Sequence, residues 1–84
     1  MTIFVVIYRH RHDDSVFVHA SRSGAEEHAD RIMEDRASED WEQGERDALD
    51  RLVDFSERIA FFHDMEQHSN HSESIDISEQ ELQP

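Results

Sequence analysis

Cysteine is absent from the 84-residue sequence, which excludes disulfides, thiolate metal ligands and thiol nucleophiles and fits a reducing compartment. Lysine is absent as well, so all positive side-chain charge comes from eight arginines, against 21 aspartates and glutamates and a net charge of −13. Two glycines and one proline leave no glycine-rich loop to cradle a phosphate. No apolar run approaches the roughly 18–20 residues of a membrane helix. The opening residues lack the basic start, apolar middle and small-residue cleavage site of a secretory signal. These absences predict a soluble, cytoplasmic protein without a membrane partner.

The β-branched and aromatic residues are concentrated in residues 2–20, TIFVVIYRHRHDDSVFVHA. Ile3, Val5 and Ile7 alternate with Phe4, Val6 and Tyr8, a period of two with both sides apolar, which predicts a central strand. Asp13, Asp14 and Ser15 supply a glycine-free turn. A return strand over 16–20 then places Val16 and Val18 on one face, and Phe17 and His19 on the other. Arg9, His10, Arg11 and His12 straddle the turn toward solvent.

Ser23-Gly24-Ala25-Glu26 has the form of a capping box and predicts a helix start. Ala25, Ala29, Ile32, Met33 and Ala37 follow at helical spacing, giving a helix over 23–37 that lies on the sheet. A second helix, beginning at Ser38 or Gly44, carries Leu49, Leu52, Val53, Ile59 and Ala60 on one stripe to about His63. Its end at Phe61-Phe62 is apolar almost all round, as expected of a segment buried on more than one side or meeting another chain. Residues 67–72 read as a loop and 74–78 as a short edge strand, closing a single domain over 1–78 before a flexible acidic tail over 79–84. The expected fold is α+β, a small three-stranded, mostly antiparallel β-β-α-α-β sheet with two helices packed on one face.

The opening IFVVIYRHRH, the acidic helical middle and the closing SIDISEQEL resemble small acidic phage and mobile-element proteins, a class that includes DNA-mimicking anti-CRISPR proteins. The resemblance carries no catalytic residues. It implies a protein that engages the basic surface of another protein, most concretely a CRISPR effector subunit, without touching nucleic acid itself.

Charge distribution gives that implication a residue-level form. The first 22 residues carry three arginines and two aspartates, whereas residues 23–84 carry five arginines and nineteen acids, a net of −14. Imitating DNA requires carboxylates dense enough to engage cations that otherwise neutralise phosphates. Glu26, Asp30 and Glu34 form a row at i, i+4 spacing with no arginine among them, a locally repulsive arrangement. Glu27 and Asp35 flank it, and Glu39, Asp40 and Glu42 extend it past the helix end, beside Trp41. These nine residues are the candidate partner-binding surface. Trp41 either anchors the interface or closes the core. On the second helix, Glu42–Arg46, Asp47–Arg51 and Asp54–Arg58 read instead as an ordinary solvated face, and adaptation to high salt also accounts for acidity.

Seven histidines raise a metal-binding alternative, with His10 and His12 two apart on a strand and His63, His68 and His71 near the second helix end. Their spacing matches no established zinc pattern. A second alternative is an antitoxin-like or adaptor protein that binds through Phe55, Ile59, Phe61 and Phe62. Neither a nucleophile elbow nor a phosphate loop is present, so no catalytic residues, cofactor or enzyme activity are expected. The chain is expected as a monomer, or as a homodimer through the third strand or Phe61-Phe62.

Overall fold

The strand β1, Thr2–Arg9, is the axis of the molecule. It pairs antiparallel on one side with β2, Asp14–His19, and on the other with β3, Ser74–Glu81, giving the sheet order β2-β1-β3. The computed structural model describes residues 1–10, 13–68 and 73–82. Between β2 and β3 run three helices: α1, Arg22–Asp40; α2, Gln43–Arg51; and α3, Phe55–His68. The fold is α+β, and its Cα extents of 47 × 30 × 16 Å leave room in the thin dimension for one helix layer on one sheet.

Register explains which sheet face the helices take. Val6 is paired with Phe17 and Ile77, and Tyr8 with Ser15 and Ile75, so these side chains share the inner face. Val6 and Ile75 are fully buried with Ala25, Ala29 and Met33 of α1 and Phe62 of α3. The alanines let α1 approach the strands closely. On the outer face Ile7 is opposite Val16, and Val5 opposite Val18.

Helix boundaries differ from those the sequence predicts. The N-cap of α1 is Ser21: its hydroxyl accepts from the Gly24 amide at 3.1 Å and its carbonyl from the Ala25 amide at 3.2 Å. A Cβ on Gly24 would meet that hydroxyl at 3.1 Å. Serine two residues before Ser23 therefore caps the helix from the end of β2. The helix also continues past Ala37 to Asp40, where the Trp41 amide donates to Ala37. Ser38 sits within it, its hydroxyl donating to the Asp35 carbonyl.

The expected long second helix is two helices, which makes three among the described residues. The chain leaves α2 at Leu52 in an extended conformation, and α3 starts after Asp54, whose carbonyl accepts from the Arg58 amide. The break lets Leu49 and Phe62 both reach the interior. At this break the Arg58 guanidinium donates to the Leu49 carbonyl at 2.9 Å, which also accepts from the Leu52 amide at 3.1 Å, and to the Leu52 carbonyl at 3.0 Å. At the other end, Glu79 to Glu81 belong to β3 rather than to a tail, and the Leu82 amide donates to Met1 at 2.7 Å. Among the described residues, no helix is long and apolar enough to cross a membrane.

Candidate functional site

Two arginines organise the helical carboxylates, and both are turned inward. Arg58, 8% exposed, points from α3 toward α1, where Asp30 lies at 2.9 Å and Glu34 at 3.4 Å. Arg22 meets Glu26 at 3.3 Å. The acidic row Glu26-Asp30-Glu34 is thus held at its start by Arg22, an i, i+4 neighbour, and further along by Arg58 from another helix, a long-range pairing that i, i+4 reasoning does not reveal. Its carboxylates stay half-buried or exposed while the Arg58 guanidinium is enclosed.

Arg36 is the second centre. It pairs with Asp40 one helical turn on, and its Nε lies 3.7 Å from Glu66 of α3 and 2.7 Å from Glu73 just before β3. That Nε–H is buried and not aligned with an acceptor, so the contact with Glu73 is ionic rather than directional. Glu66 is 1% exposed and receives the Trp41 indole N–H at 3.4 Å. The Tyr8 hydroxyl donates to Glu73. Burial first, then this hydrogen bond and the carboxylate's charge, push the Tyr8 phenol well above its ordinary 10.0.

Beside this network lies a cleft of about 400 Å³ between α1 and the hairpin, lined by Tyr8, His10, Phe17, Asp35, Arg36 and Glu39 among others. His10 packs against Tyr8 with ring centroids 3.8 Å apart and the planes tilted by 46°, and its Nε2 lies 2.9 Å from the Ser15 hydroxyl. His10 is accordingly half-buried rather than extended into solvent.

The nine sequence-predicted residues fall into groups. Glu26, Asp30 and Glu34 flank α1 on the side of α3, held by Arg22 and Arg58. Asp35 and Glu39 lie on the opposite flank, at the cleft. Glu27 is exposed between them, and Asp40 is tied to Arg36. Glu42 caps α2, its amide bonded to Glu45. Trp41 is half-buried, stacked on Phe62 at 5.9 Å and edge-on to Phe61 at 5.8 Å. It closes the core between α1 and α3.

Of the alternative surface, Phe62 is fully buried, Phe55 and Ile59 pack on the core, and Phe61 meets Trp41. Among the histidines, His63 Nε2 is bonded to the Ile75 backbone and His68 Nδ1 to the Asp64 carbonyl. His12 and His71 lie outside the described residues, among which no group of three or more metal-binding side chains converges. One pair escaped the sequence reading: His19 Nε2 and His28 Nδ1 are 2.8 Å apart. Their proximity needs the register of β2 against α1, which spacing alone does not supply. Burial, then His19 and Arg31, hold the His28 imidazole below its ordinary 6.5.

Comparison with protein-family models, with curated proteins and with solved structures gave no match.

Proposed function

We propose that the protein is a non-enzymatic inhibitor whose anionic helical layer occupies a basic nucleic-acid-binding groove of another protein, most concretely an anti-CRISPR protein that keeps DNA from an effector complex. The observation that carries this reading is the sorting of charge. Residues 22–68 hold fifteen acids and six arginines, and two of those arginines, Arg36 and Arg58, are spent inside the molecule, their side chains only 12% and 9% exposed. Carboxylates such as Glu27, Asp35, Glu39 and Glu42 face outward, so the helical exterior is more negative than composition alone implies. A cationic groove meeting it exchanges phosphate contacts for carboxylate contacts, a substitution that weakens as salt rises.

The adaptor reading is less favoured because Phe55, Ile59 and Phe62 are committed to the core. The deciding experiment is competition between the protein and duplex DNA for purified effector complexes over a salt series. Displacement of DNA by the wild type, with affinity lowered at least about tenfold in Glu27→Arg/Asp35→Arg/Glu39→Arg, is the expected result. Binding indifferent to both salt and charge reversal, or no displacement from any effector class, sinks the reading.

A further inference from the structure

The helices cover one face of the sheet; the other is open. Along β1 this face presents Ile3, Val5 and Ile7, along β2 Val16 and Val18, which are 60% and 62% exposed, and along β3 the uncharged Ser74, Ser78 and Gln80 beside Asp76. Met1 and Leu82, bonded through their backbones at the sheet's end, continue the same alternation and are 76% and 47% exposed. Four of the five exposed large apolar residues among those described thus lie on one face, Val53 being the fifth. A central strand apolar on both sides is the pattern of a sheet covered on both sides, and this chain supplies only one cover.

We infer that the open face is the contact between two copies of this chain, packed sheet against sheet. Charge selects the occupant. In a molecule of net charge −13 most surfaces of one copy repel another, but this face carries only Arg9, Asp14 and Asp76 from its strands. They are gathered at the hairpin end, with Arg9 already paired to Asp76 at 2.5 Å. It is a surface on which two polyanions meet with few opposing carboxylates. A basic partner is drawn by the field to the helical side instead, since this face offers it only the carboxylates of Asp14 and Asp76, the latter already paired with Arg9.

The area suffices. Three strands of up to eight residues span roughly 26 by 14 Å, about 400 Å² in projection. With side-chain relief that becomes of the order of 600 Å² of accessible surface per copy, and about 1,200 Å² for the pair, at the lower end of stable interfaces. The product has four layers, helices outside and two sheets about 10 Å apart within. This inference does not depend on the inhibitor reading; an inhibitor built this way presents two anionic helical layers facing opposite directions.

Sedimentation equilibrium on the full chain tests it. The wild type is expected at twice the 9.9 kDa chain mass, Val16→Glu/Val18→Glu at the single-chain mass with its circular dichroism retained, and Val53→Glu still at twice the mass. Should the glutamates prevent folding, Val16→Thr/Val18→Thr keeps β-branching and is expected to raise the dissociation constant at least tenfold. A wild type that stays a single chain at every concentration overturns the inference and leaves the face to a different protein. Folded Val16/Val18 variants that still pair as tightly, or loss of pairing in Val53→Glu, overturn it equally.

Discussion

Arg58 joins three elements through one guanidinium, and its removal has consequences a surface arginine does not have. Arg58→Met leaves the Leu52 carbonyl without its guanidinium donor, the Leu49 carbonyl with only the Leu52 amide, and Asp30 without its cation. The expected loss is about 3 kcal/mol, read as a lowered denaturant midpoint at unchanged slope. At Tyr8, the only tyrosine, burial and Glu73 raise the folded value above 10.0. The phenol's contribution to stability is therefore complete below 10 and lost as pH rises through the folded value. Absorbance near 295 nm is expected to show no tyrosinate until well above pH 10 or until the chain unfolds; ordinary titration in the folded protein contradicts this. His28 has the opposite sense. The unfolded chain takes up this proton near 6.5 and the folded chain only lower, so the contribution is present above 6.5 and declines as pH falls through the folded value. Melting temperature is expected to drop between about pH 7.5 and pH 5, with a smaller drop in His28→Gln.

Among the elements, α1 shows how local a boundary can be. Its cap is one hydroxyl, and Ser21→Ala is expected to cost about 1 kcal/mol, whereas Ser23→Ala is expected to cost nearly nothing, as compared by chemical denaturation. Two serines two residues apart look alike in sequence; the end of β2 decides between them. The central strand was legible because alternation survives without context: Ile3, Val5 and Ile7 and their inward neighbours Phe4, Val6 and Tyr8 announce it, and the alanine stripe of α1 announces its buried side, whereas β2 runs over Asp14–His19 and not 16–20, since Asp14 and Ser15 of the expected turn pair with Arg9 and Tyr8. The break at residues 52–54 was not legible. The apolar stripe runs straight through it, and the guanidinium that compensates the interrupted helix comes from four residues beyond Asp54 but bonds backward to α2. The carboxylates of the candidate site were legible as composition and as helical rows. Their partners, Arg58 for Asp30 and Glu34, and Glu66 and Glu73 for Arg36, arise from helix and strand packing across 24 or more residues.

For the molecule as a whole, a net charge of −13 on 84 residues works against compaction, and the inward arginines offset only part of it. Salt screens the outward carboxylates more than the enclosed ion pairs. Thermal stability is accordingly expected to rise as sodium chloride increases from about 10 mM to about 0.5 M, where the Debye length shrinks from roughly 30 Å to a few ångströms; a falling melting temperature would show that exposed ion pairs outweigh the general repulsion.

The central place of β1 also dictates an order of assembly. Its partner on one side is a hairpin neighbour, but on the other it is β3, with Val6 waiting for Ile77 and Thr2 for Glu81, 79 positions on. The hairpin and the helices have only short loops to close, while the last strand must bring the chain full circle, the slowest kind of contact to make. A chain cut after His68 keeps the apolar hairpin and leaves one side of β1 with unsatisfied backbone groups, a template on which truncated molecules stack rather than fold.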